Sequence, residues 1–243
     1  WAHETAYLLG LEDRYDPILP ATGDSEVHSV GGLGRFSLMS SGAWGTGGGF
    51  GAAMPDGYSA TQMGWRVLRN LSATASGSDT LSYGEAGRVW TGGEVGPEFF
   101  LLETRDPLAS APFDAAVPGG QLLIYHIDEN LSEGRWHEDG PYQWHLRARL
   151  VEADADPLAV LALGHNEGLA EDLFPGPLGA TEFGPTTIPG STSYDAGPSR
   201  ITLTGISSIA SGVRFGVDLD TERSLTFQYA FEDVDGARRL NLA

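Results

Sequence analysis

The 243-residue sequence contains no cysteine. That one absence excludes disulfides, cysteine-ligated zinc, iron–sulfur clusters and thiol nucleophiles together. Basic residues are scarce as well: 14 Lys+Arg stand against 33 Asp+Glu, a formal net charge of −19. So acidic a chain repels phosphate backbones and anionic lipid, which makes nucleic acid and membrane surfaces poor partners. No stretch approaches the roughly 18 apolar residues of a membrane helix. No basic-then-apolar leader opens the chain either. Its abrupt start at Trp1-Ala2-His3-Glu4 suggests a mature or truncated product whose natural start lies upstream. What is abundant is glycine, 34 residues beside 14 prolines, the mark of an ordered, loop-rich globular protein.

The coarse order is two helices followed by strands. Residues 1–12 (WAHETAYLLGLE) carry a short amphipathic helix closed by Gly10. A long Gly/Ser-rich stretch follows over about 20–58, of the kind that forms functional loops. Residues 56–68 predict a second helix starting near Asp56. After Leu71 the pattern turns to strands at 88–90, 98–105, 121–128 and 145–153, then near 200–206, 212–218 and 223–230. The polar stretch 70–85 reads equally as a surface loop or as the best linker candidate, dividing residues 1–71 from a β-rich 72–243 that packs with them as one unit.

The chemistry is concentrated at the start. His3-Glu4-Thr5-Ala6-Tyr7 is one substitution short of H-E-x-x-H, in which two histidines at i and i+4 hold zinc and the glutamate polarises a water. Gly10 and Asp13 extend the frame to H-E-x-x-Y-x-x-G-x-x-D, where the glycine lets the chain turn and a third ligand reach the metal.

With these residues the chain resembles the immune inhibitor A-like secreted bacterial metalloproteases, whose run H-E-x-x-H-x-x-G-L-x-D-x-Y-D is matched by HETAYLLGLEDRYD at 3–16. FSLMSSGAW at 36–44 looks like the family's Met-turn segment, and PDGYSATQMGW at 55–65 like its following helix. EFFLLETR, GGQLLIYHID, VEADA and EDLFPG follow in the family's order, so the resemblance spans about residues 3–220. It implies His3 and Asp13 as zinc ligands, Glu4 as general base and Met39 as the turn methionine beneath the metal. It also implies a zincin-like catalytic-domain part and a secreted, periplasmic or cell-surface bacterial protein. Tyr7 stands where the second histidine belongs, and a neutral phenol is a poor zinc ligand at pH 7. The expectation is therefore a degenerate member with Glu4 vestigial, zinc absent and no peptidase activity. Such a protein would serve as a binding or structural subunit, with a protein partner or larger complex. The alternative is a working zinc endopeptidase in which Tyr7 or His28 completes an unusual ligand set.

Asp13, Asp16, Asp154, Asp156, Glu171 and Asp172 offer the hard oxygens calcium selects, and structural calcium is common near such segments in the resembled family. His126 and Asp128 share one strand face and read as a pair hydrogen-bonded within the fold rather than as metal ligands. His137, His145 and His165 lack ligand spacing. The run Gly45–Gly49 lacks the Lys-Ser/Thr of a phosphate loop. The sequons at Asn70 and Asn130 matter only in a eukaryotic secretory route. The fold class expected is α+β, with two helices, a β-rich remainder and many long loops.

Overall fold

The computed structural model describes residues 1–15, 32–45, 51–74, 77–105, 113–114, 117, 121–131, 146–156, 166–194 and 197–219. Within them the fold is α+β and dominated by strands. Two short helices, α1 (Ala2–Leu8) and α2 (Gly57–Gln62), precede all of the described strands. Both end the same way. At the end of α1, Gly10 at φ 92° donates to the Tyr7 carbonyl, and Leu11 donates to that of Ala6. At the end of α2, Gly64 at φ 68° donates to Thr61, and Trp65 to Ala60. This is the double bond of a Schellman stop, which needs a left-handed residue that glycine adopts without a Cβ clash. It cuts both helices shorter than their apolar spacing suggests.

The main sheet has five strands in the order β1 (Leu68–Asn70), β3 (Ala86–Val89), β4 (Glu98–Thr104), β5 (Leu122–Asp128) and β6 (Ala148–Leu150). Only β1 and β3 run parallel; the other pairs are antiparallel, with Leu101 opposite Tyr125 at the sheet's centre. Every residue of β4 and β5 is buried. That burial explains their unbroken apolar runs, since both faces of the sheet are covered. Phe100, Leu102, Leu122 and Ile124 meet a second, antiparallel sheet through Leu81, Leu203, Val213 and Phe215. This sheet is ordered β2 (Gly77–Ser82), β10 (Gly212–Leu219), β9 (Ile201–Ile209). On the other face Phe99, Leu101, Leu123 and Tyr125 pack against Leu33, Phe36 and Tyr58 from the long loop and α2. A two-stranded ribbon, β7 (Thr192–Ser193) with β8 (Gly197–Pro198), completes the described strands.

Three expectations are corrected. The stretch 70–85 is not a linker: it holds a 3-10 turn (Leu71–Thr74) and β2, and both Leu71 and Leu81 are fully buried. Its polar composition reflects an edge strand with one inward leucine. Strand structure also begins before Leu71, at β1, where only three residues pair. The run 145–153 yields only Ala148–Leu150 as strand, because the backbone of Ala153 bonds instead to the Asp172 carbonyl. The strand expected at 223–230 lies outside the described residues.

Candidate functional site: a tyrosine-bridged motif and an acidic cluster

Helical spacing places His3 and Tyr7 on one face of α1, and the stop at Gly10 swings the chain back so that Asp13 joins them. Tyr7 donates its hydroxyl proton to Asp13 Oδ1. The same hydroxyl lies 2.9 Å from His3 Nε2, and that nitrogen is 3.3 Å from Asp13 Oδ1. Three positions that a zinc ion would bridge thus bridge one another. His3 Nδ1 donates to the Leu38 carbonyl at 2.9 Å, which turns Nε2 toward the other two side chains, the orientation a metal-ligating histidine takes. Met39 is fully buried and packs with Ala6, Leu11 and Leu38 beneath the helix. Glu4 is exposed on α1. His28 and Asp16 lie outside the described residues, as do His137, His145, His165, Ser132 and 46–49.

The donor set does not fit zinc. Burial first, and then the hydrogen bond and charge of Asp13, push the Tyr7 phenol above its ordinary range. A neutral phenol that donates its proton to a carboxylate offers a metal little. Among the described residues, zinc at this motif would have only His3 and Asp13 as good ligands, short of the usual three or four.

A fully buried aspartate ties this region to α2. Asp56 caps the helix by accepting from the Ser59 N–H at 2.9 Å, and it also takes the hydroxyls of Ser37 and Ser59, each at 2.7 Å. Burial alone would raise its pKa, but the nearby Arg14 guanidinium and these donors hold it below the ordinary carboxylate value. Sequence reading found the cap but not the serine clamp. A second buried network was missed entirely: Glu103 on β4 accepts from the Gly57 N–H at 3.0 Å, from Tyr125 at 2.9 Å and from Arg105, and it pairs with Arg66.

His126 is hydrogen-bonded within the fold. It bonds Glu98 Oε1 through Nε2 at 2.8 Å and stacks on Tyr194 at 4.0 Å, with burial pushing its pKa down. Asp128 accepts from the Asn130 N–H. His126 and Tyr194 also line a cleft of about 390 Å³, with Arg149, Glu152 and Asp156 on its wall.

The acidic segments converge in part. One carboxylate oxygen from each of Glu152, Asp154 and Asp172 lies within 4.8 Å of the others. Asp156 and Glu171 fall outside this group. Glu152, which does belong, reads in sequence as the tail of a strand run, and only its position two residues before Asp154 could have flagged it. Asp172 is fully buried; its Oδ2 accepts from the Leu169 N–H at 2.6 Å, while Oδ1 has no hydrogen-bond partner among the described residues. Burial pushes its pKa up to about 6, the Leu169 N–H works against that, and the charges of Asp154 and Glu171 add to it.

Comparison with protein-family models, curated proteins and solved structures finds no match. The family resemblance therefore stands on the motif residues themselves.

Proposed function

We propose that this chain is a metalloprotease-like protein without peptidase activity, serving as a binding or structural subunit of an extracytoplasmic assembly. One observation carries the loss of activity: the Tyr7 hydroxyl bridges His3 and Asp13 by hydrogen bonds where a second imidazole would complete a zinc site. Retention of His3, Asp13 and Met39 follows from their packing and bonding roles, which do not require a metal. Support for a binding role comes from the same helix, where Leu8 and Leu9 project exposed apolar side chains beside the motif. The extracytoplasmic setting rests on the resemblance of residues 3–16.

The test is zinc content and peptide hydrolysis of the purified full chain, beside a Tyr7→His variant. Wild type should retain no stoichiometric zinc after dialysis and cleave nothing. Tyr7→His should bind zinc at least about 100-fold more tightly, since even outer-shell partners are typically worth 10–100-fold. Near one zinc per wild-type chain, lost in His3→Ala, together with hydrolysis lost in Glu4→Ala, would instead establish the working-peptidase alternative.

A further inference from the structure

We infer that the cleft beside His126 binds a free α-amino acid with an apolar side chain, its carboxylate on Arg149 and its ammonium on Glu152 and Asp156. At about 390 Å³ the cleft falls in the size range of small-molecule sites, roughly 300–1,000 Å³. It shares no residue with the His3 cluster, so the inference does not depend on what that cluster does.

Arg149 is the anchor. It stands on β6 opposite His126 of β5, and residues paired across neighbouring strands present their side chains on one face of the sheet. Arg147, just before the strand, has its guanidinium taken up by the Tyr58 hydroxyl and the Leu131 carbonyl, each at 2.9 Å. The half-buried guanidinium of Arg149 makes no hydrogen bond and no ion pair among the described residues. It is the one fixed cation on the cleft wall, in a chain whose formal net charge is −19. Its planar fork of donors matches the two oxygens of a carboxylate.

The rest of the wall selects which anion. Glu152 and Asp156 bring carboxylates into the same cleft, so a phosphate or a dicarboxylate meets repulsion there. A monoanion that carries its own cation satisfies both signs. Val151, Ala155, Pro189 and the Tyr194 ring offer apolar surface to the remainder of such a ligand. His126 adds no charge at neutral pH, because burial pushes its pKa down against the opposing pull of Glu98. The walls are also fixed before any ligand arrives. Glu98 Oε1 bonds both His126 Nε2 and the Tyr194 N–H, each at 2.8 Å, which ties the chain at 194 to the main sheet. The imidazole packs against Phe100 and Tyr194, with ring centroids 4.5 and 4.0 Å away. A preformed wall lowers the ordering cost of binding.

The full chain, near neutral pH and in moderate salt, is titrated by calorimetry with L-leucine, L-methionine and L-phenylalanine. At least one should bind saturably, one per chain, with Kd at or below about 1 mM. For that amino acid, the N-acetyl derivative lacks the ammonium and the amide lacks the carboxylate; each should bind at least about tenfold more weakly. Arg149→Gln should lose binding by a similar factor while keeping the wild-type near-ultraviolet circular dichroism. Arg214→Gln, at an exposed position of β10, should bind as wild type does. Absence of saturable binding by all three amino acids would overturn the site. So would an N-acetyl derivative that binds as tightly as its parent, which would make the cleft a plain anion site, or unchanged affinity in Arg149→Gln. Should Arg149→Gln fail to fold, the two derivatives on wild type decide the matter.

Discussion

Asp56 and Asp172 are the same residue at the same burial, each with no exposed surface, and their carboxyls are displaced in opposite directions. Asp56 receives two hydroxyls and a backbone N–H and lies near the Arg14 guanidinium. Asp172 receives one backbone N–H and faces two further carboxylates. Burial raises both; the count of donors and the sign of nearby charge decide which way each ends. A buried carboxylate with a full set of donors is part of the scaffold. Asp172 keeps one oxygen without a donor among the described residues.

Paired substitutions break this contrast most strongly. Asp56→Ala should cost about 3 kcal/mol in urea unfolding, because three donors lose their acceptor and the buried Arg14 guanidinium loses a nearby negative charge. Asp172→Asn under the same conditions should cost less than about 1 kcal/mol, since removing a charge from a crowded acidic group offsets any lost bond. Equal losses at the two sites would end the distinction.

Acid sharpens the difference at Asp56. Its folded pKa lies below the unfolded value, so its stabilisation is fully present above about pH 4. That contribution disappears as the pH falls through the folded pKa. Melting temperatures from pH 5 to pH 2 should show this loss in wild type and a shallower slope in Asp56→Ala. A narrower test removes a single donor. Ser37→Ala should cost about 1 kcal/mol and move the Asp56 carboxyl back toward its ordinary range, observable by carbon-detected NMR titration.

The sheet was legible where both of its faces are covered. The runs FFLL at 99–102 and LLIY at 122–125 have no alternation, and the structure buries each residue between two layers. β2 was not legible, because Gly77 to Thr80 are polar and Leu81 is its one fully buried residue. The approach of His3, Tyr7 and Asp13 could be read from helical spacing and a glycine stop, both local features. The meeting of Glu152 with Asp172 could not. It depends on backbone bonds from 153 to 172 and from 122 to 174, and no window of neighbouring residues contains those. Glu103 was hidden for a related reason: apart from Arg105 two residues on, its partners come from α2, β5 and the chain after α2, while its own neighbours spell an ordinary strand.

Ala6, Leu11, Leu38 and Met39 form a cluster separate from the two that sandwich the main sheet. Supported by so few side chains, α1 has little to lose on opening, and its amides should exchange with solvent sooner than those of β4 and β5.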